Sequence, residues 1–414
     1  MRTLKVILAV LLLPAVCFAA GYAVPNTNPR DDAMAGANVA NETGPEAAYG
    51  NIAAIAGREG LGISASGSVI YFRSTWTDTS GLNGPSATAD QVPKAAFPPN
   101  FNVTYGGKLS NGMGWGVGAA FAAPGGGLVH WPRNWAGQYY IQEVNRQIVS
   151  LDVGGAFQPI ESLKLGVTGT YIHGSEQLFQ MLNFVGQQGE AHLSTNGSGW
   201  SWTAAAEFTP SKDLPLRFGA QYKHQGLVSL SGNAHFIGVP QAFQTSGLID
   251  QGATHNTMFP NVLNLGASYD PIPNLTVNIA YTFWRWVVYR NDVFVGDKGL
   301  TIDIAHNFHN GQTYRLGAEY GGIAALPALK VRAGFLRDVS PQPSDTLSPA
   351  LPDASRWVME LGAGYSLLKD TLDLNVAWEH AFFDSTTATG TETLNGTYDI
   401  TADVFVVGLA YKMK

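Results

Sequence analysis

Residues 20–60 read AGYAVPNTNPRDDAMAGANVANETGPEAAYGNIAAIAGREG, and this stretch decides how the rest of the chain is read. It is crowded with Ala, Gly, Asn and Pro, and shows neither a sustained period-2 alternation nor a wide apolar helical stripe. Small side chains pack closely but bury little area each, so such a segment gains too little to fold alone. It needs a container, and the chain beyond residue 60 supplies one: about fourteen strand-like segments in succession. The reading is a plug inside a closed barrel, with 20–60 as hatch and 61–414 as barrel.

Composition supports a sheet with one face in lipid. Charged residues are 13% of the chain, while Gly (48), Tyr (16), Trp (10) and Phe (20) are plentiful. After the first residues no segment approaches ~18 continuous apolar residues, which excludes a helical membrane protein. The remaining way to span a bilayer is a β-barrel, whose backbone polar groups are all paired around a closed ring. Residues 1–19 have the form of a secretory leader: Arg2 and Lys5, an apolar run from Val6 to Val16, then small residues at Cys17 and Ala19. Cleavage after Ala19 would remove the single cysteine, and without Arg2 and Lys5 the 24 basic residues become 22 against 31 acidic, a balance of −9. That excludes nucleic acid as a natural partner.

Several segments alternate cleanly. Leu372, Leu374, Val376 and Trp378 oppose Asp373, Asn375 and Glu379, and Tyr314, Leu316, Ala318 and Tyr320 oppose Thr313, Arg315, Gly317 and Glu319. A soluble sandwich would alternate too, so the connections carry the decision. They run long, short, long, short: Ser110-Asn111-Gly112 and Lys369-Asp370 are tight turns, whereas 124–137, 178–198, 233–254 and 292–310 are expected as long outer loops. Short turns on one side, long loops on the other and an even strand number describe an outer-membrane barrel of a Gram-negative bacterium. Aromatic residues near strand ends, such as Tyr71, Trp200, Trp284 and Trp357, suit the two membrane interfaces. The fold class is therefore all-β: a fourteen-stranded antiparallel transmembrane barrel with an N-terminal hatch in its lumen.

Within such a barrel, Gly112, Gly114, Gly116 and Gly118 fall at period 2, leaving one face of strand three (113–123) as bare backbone. Such a face either lets the hatch approach closely or thins the wall for a ligand exit, continued by Pro124, Gly125 and Gly126, which disfavour a regular ladder. Arg315, Glu319, Arg332, Arg217 and Lys223 oppose the apolar faces of their strands and so point to the lumen. A carboxylate buried there would need a cation, for which Arg315 and Arg332 are the candidates; a ladder of lumenal ion pairs is the competing account. Phe179, Leu182, Phe184, Phe236 and Phe243 make the expected outer loops apolar, fit either to capture ligand or to pack as a lid. Asp303, His306 and His309 would share a face only if their loop were helical and are read as solvated, so no metal and no cofactor is expected.

Four blocks carry a resemblance to the FadL/TodX family of outer-membrane transporters. AGYAVPN, which includes Asn26, and YGNIAAIAG resemble the family hatch, with Asn51-Ile52-Ala53 where the family has Asn-Pro-Ala. Ala123-Pro124-Gly125 with Trp135-Ala136-Gly137-Gln138-Tyr139 is similar to its third-strand exit. Gln221-Tyr222-Lys223-His224 looks like its mid-barrel pattern, and Tyr314-Arg315-Leu316-Gly317-Ala318-Glu319-Tyr320 with Val331-Arg332-Ala333-Gly334-Phe335 is the most specific block. The resemblance implies a monomer in outer-membrane lipid that passively takes up a hydrophobic ligand, a long-chain fatty acid or alternatively a neutral hydrocarbon, and releases it sideways near strand three. The rival from another class is a membrane-embedded lipid enzyme built on His173-Gly174-Ser175, and a third is an open hydrophilic porin, against which the plug argues.

Overall fold

A computed structural model describes residues 22–24, 28–84, 87–184, 186–211, 213–368, 371–390 and 394–413. The expected leader (1–19) and Asn26 lie outside them. Among the described residues fourteen antiparallel strands close into one ring. They are β1 (Gly60–Asp78), β2 (Pro99–Lys108), β3 (Gly114–His130), β4 (Glu143–Ile160), β5 (Leu163–Phe184) and β6 (Gln187–Phe208). Then come β7 (Leu216–Lys223, continued by Gly226–Ile237), β8 (Gln251–Phe259, continued by Asn261–Ile272) and β9 (Leu275–Arg285). The ring ends with β10 (Gly311–Tyr320), β11 (Leu329–Val339), β12 (Arg356–Leu367), β13 (Leu372–Phe383) and β14 (Gly396–Met413). β14 returns to β1 through 18 residue pairs, which removes both sheet edges.

The alternation read from sequence has the polarity of a barrel in lipid. On β14, Phe405, Val407 and Leu409 are about half exposed, while Val404, Val406 and Ala410 between them are buried against the interior. An apolar face left open on the outside is stable only where lipid covers it.

Residues 28–57 fill the ring. They carry one turn of α-helix (Pro29–Asp32) and two 3₁₀ turns (Pro45–Ala48, Ile52–Ile55), and most of their side chains are buried. They touch the wall wherever it is bare. A Cβ added to Gly116 of β3 would meet the Ile55 backbone, one on Gly166 of β5 the Ala53 backbone, and one on Gly219 of β7 the Val39 carbonyl. The same holds for Gly317 of β10 against Met34 and Gly362 of β12 against Ala33. Contacts on strands all around the circumference place this segment inside the lumen. The container therefore supplies the apolar burial that the small residues of 28–57 cannot generate among themselves.

Several expected loops are strand instead. β5 and β6 pair over 22 residues as far as Phe184–Gln187, so Phe179, Leu182 and Phe184 lie on a hairpin extension rather than in a loop at 178–198. Phe236 is on β7, and only Phe243 sits in a short helix, Gln241–Gln244. Residues 291–305 form a second hairpin, Asn291–Gly296 with Thr301–Ala305, in which Asp303 accepts a bond from Asn291 instead of facing His306. β3 likewise runs on through Pro124–Gly127 to His130, with a register shift between Ala122 and Gly125. Beyond the membrane both faces of a ladder are wet, so its pairing no longer needs an apolar face and the alternation that marks it disappears.

Candidate functional site

The chain's first described residues sit at an interruption of the wall. β2 and β3 pair only from Lys108–Gly114 to Phe101–Phe121; further up, β3 is next met on that side by the Val92 amide, which donates to the His130 carbonyl. Into this uncovered stretch the N-terminal segment lays its own backbone. Ala23 bridges Gly125, the Val24 amide donates to the Pro124 carbonyl at 2.9 Å, and the Gly126 amide donates to the Tyr22 carbonyl at 3.0 Å. Proline explains the break, since it gives the ladder no N–H, and Gly125 explains the approach: a Cβ there would come within 3.0 Å of both the Tyr22 carbonyl and the Phe259 ring.

The Tyr22 side chain, wholly buried, reaches across the lumen. Its ring stands edge-on to Phe259, Trp286 and Tyr289 at 5.3, 5.1 and 5.4 Å. The Arg146 guanidinium lies 4.9 Å from its centre, and its hydroxyl donates to the Met258 carbonyl and accepts from Thr257 Oγ1. Burial pushes that hydroxyl well above its ordinary pKa, with Arg146 opposing.

Tyr22 to Val24 separate two cavities. The outer one, about 110 Å³, is walled by apolar residues including Phe72, Leu128, Ile141, Leu178 and Phe294, with one charged corner. There Arg146 is held by Glu176 at 3.0 Å and Asp292 at 3.5 Å, and Asp292 also meets His306 at 3.2 Å. Sequence reasoning missed this cluster; the inward phase of Val144, Arg146 and Ile148 in β4 is the signal that could have found it. The inner cavity, about 190 Å³, touches Ala23, Val24, Phe259 and Trp284 and is far more charged, with Lys223, Arg315, Arg356, Glu42 and Glu360.

The fold scatters the expected site residues over several places. Arg315 lines the inner cavity, donates to Thr282 Oγ1, and has no carboxylate within 4 Å among the described residues. Arg332 lines neither large cavity: it binds Glu319 at 2.7 Å and Asn375 at 2.7 Å, and Glu319 in turn meets Arg30 of the lumenal segment at 3.3 Å. Gly114, Gly116 and Gly118 face Gly57, Ile55 and Ala48, whereas Pro124, Gly125 and Gly126 form the break that Tyr22 to Val24 cover. Phe184 packs on Phe243 at 4.8 Å, and Phe179 stacks on His192 at 4.5 Å. His173 lies 3.4 Å from the Ser198 hydroxyl. Among the described residues no cluster is arranged to hold a metal.

Asn51 caps the Ile52–Ile55 turn by accepting from the Ala53 amide, and its own amide donates to the Val39 and Ala206 carbonyls at 2.7 and 3.2 Å. Ile52 and Ala53 are buried beside it, so the isoleucine standing where a proline was expected leaves the turn intact. Asn51→Ala removes the cap and two buried carbonyl partners, which should cost the segment about 1–2 kcal/mol. Faster hydrogen exchange at the Ala53 amide would report that loss, and unchanged protection would refute it.

A closed barrel with apolar flanks, a plugged lumen and cavities on both sides of a covered wall break defines an outer-membrane transport protein for apolar molecules. The chain belongs to the family described as "Outer membrane protein transport protein (OMPP1/FadL/TodX)", whose profile matches residues 10–414. Among curated relatives, the long-chain fatty acid transport protein of Escherichia coli O6:H1 is 21% identical over 73% of this chain and 74% of its own length, and that of Salmonella typhi is 21% identical over 70% and 72%. A Pseudomonas aeruginosa FadL homologue has the same fold, with a TM-score of 0.83 and 18% identity across 95% of this chain and all of that one. The Pseudomonas putida toluene transporter TodX follows at 0.74 and 16%, covering 96% and 99%. The protein is thus located in the outer membrane of a Gram-negative bacterium.

Proposed function

We propose that the protein takes up long-chain fatty acids passively, with residues 20–60 acting as the hatch of the mature chain after a leader ending at Ala19. The observation that carries this reading is the pair of cavities divided by Tyr22 to Val24, the residues that also cover the break in β3. A ligand gathered on the apolar outer extension, near Phe184 and Phe243, enters the outer cavity. It passes Tyr22 as the N-terminal segment lifts, and leaves sideways between β2 and β3. Each methylene removed from water contributes roughly 0.8 kcal/mol, so no nucleotide and no covalent step is required. Arg315, which has no carboxylate within 4 Å among the described residues, meets the head group in the inner cavity. A monomer surrounded by outer-membrane lipid suffices for this cycle.

One observation favours neutral hydrocarbons instead: Arg146, the cation of the outer cavity, is already neutralised by Glu176 and Asp292. Uptake of oleate and toluene into proteoliposomes separates the two. If the ligand is a carboxylate, Arg315→Ala lowers the oleate-to-toluene uptake ratio about tenfold, the value of one charge-assisted bond. An unchanged ratio would favour the neutral ligand, and failure to take up either compound would sink the transport reading.

A further inference from the structure

The wall has a second interruption besides the one in β3. Between the pairs Asn261–Arg285 and Thr254–Val295, six residues of β8 (255–260) face nine residues (286–294) that come after β9, with no ladder between them. Pro260 breaks β8 here, and the chain after Arg285 turns inward as a 3₁₀ turn, Trp286–Val288. The gap is packed with Trp286, Tyr289 and Phe259, and the ring at their centre is Tyr22. That ring is a guest in a recess built by the barrel. Three edge-on aromatic contacts and a cation over its face recognise an aromatic ring. The Met258 carbonyl and the Thr257 hydroxyl, which strand pairing on that side leaves available, recognise a hydroxyl on its far edge. Trp286 Nε1 is buried in the same recess without a partner among the described residues.

We propose that this recess is a binding site for para-alkylated phenols, and that Tyr22 occupies it as a built-in surrogate which such a ligand displaces. The para position is set by the tether: the alkyl group of the ligand takes the direction of the Tyr22 Cβ, and its hydroxyl takes the place of the tyrosine's. The outer cavity abuts the Tyr22 ring, so an incoming phenol competes for the recess from that side. Only the arrival of apolar ligands in the outer cavity rests on the transport reading.

The test is calorimetric titration of the purified full-length protein in detergent with 4-ethylphenol and with ethylbenzene. An occupied site reduces apparent affinity by the fraction of protein in which it is vacant. Tyr22→Ala should then bind 4-ethylphenol about tenfold more tightly than wild type does, and about tenfold more tightly than ethylbenzene, since ethylbenzene leaves the buried Met258 carbonyl and Thr257 hydroxyl unpaired. Adding Thr257→Val should erode the preference for the phenol. Tyr22→Phe keeps the ring and loses the hydroxyl, so it should show a smaller gain in the same direction and serves if the alanine variant fails to fold. No gain in either variant, or equal affinity for the two ligands, overturns the proposal. Oleate uptake alongside an absent phenol preference would leave the transport reading standing, and phenol binding without fatty-acid uptake would do the reverse.

Discussion

Gly317→Leu with Gly334→Leu should turn the closed protein into an ion-conducting pore. The two glycines are cross-strand partners on β10 and β11. Both face the turn at Met34 and Ala35: a Cβ on Gly317 would lie 2.4 Å from the Met34 carbonyl oxygen, and one on Gly334 would lie 2.4 Å from the Ala35 nitrogen. Those contacts are backbone on backbone, so no side chain can rotate away to relieve them. The ladder tolerates leucine, whereas the lumenal segment cannot stay seated against it. With the turn expelled, water fills the lumen, and planar-bilayer conductance should rise about tenfold or more over the wild-type background. Gly67→Leu, where a Cβ meets nothing within 4 Å, should leave conductance at that background. A correctly folded double variant as tight as wild type would show that the segment at 28–57 does not block the barrel.

Removing the Glu319 carboxylate should destabilise the protein by about 3–5 kcal/mol, the usual cost of breaking a buried ion pair. Glu319 lies between Arg30 of the lumenal segment, at 3.3 Å, and Arg332 of β11, at 2.7 Å, so Glu319→Ala leaves the buried Arg332 guanidinium without a carboxylate within 4 Å among the described residues and leaves Arg30 with Asp31, at 3.7 Å. Urea unfolding monitored by tryptophan fluorescence reads the loss, and protease attack between residues 30 and 60 should accelerate in parallel. Replacing the pair, as Glu319→Leu with Arg332→Met, removes the stranded charge while Arg30 keeps Asp31 at 3.7 Å, and should recover much of the stability. A change below about 0.5 kcal/mol for Glu319→Ala, the scale of ordinary surface substitutions, would mean that this triad does not anchor the segment.

The membrane-embedded part of the fold was legible because lipid imposes a strict alternation: Leu372, Leu374 and Val376 announce β13 without help from any neighbour. The same rule fails above the bilayer. Ser194, Thr195, Asn196 and Gly197 look like loop, yet pair with both β5 and β7, because a wet ladder asks for backbone bonds and nothing of its side chains. The interior was partly legible. The glycines of β3 indicated a close approach by another backbone, but which backbone lay opposite each one depends on register across many strands. Arg315 and Arg332 read alike in sequence. Only the ring places one beside a cavity and the other in a triad with Glu319. Tyr22 gave no signal in a stretch of small residues, since its partners come from residues 146 and 257–289, far away along the chain.

The 18 paired positions that join β1 to β14 have a consequence for biogenesis. Residues 28–57 precede β1 directly and rest on strands from every side of the cylinder, so the surface they pack on is complete only once the first and last ribbons have zipped together. Zipping of the seam and final seating of this segment should therefore stabilise each other during assembly.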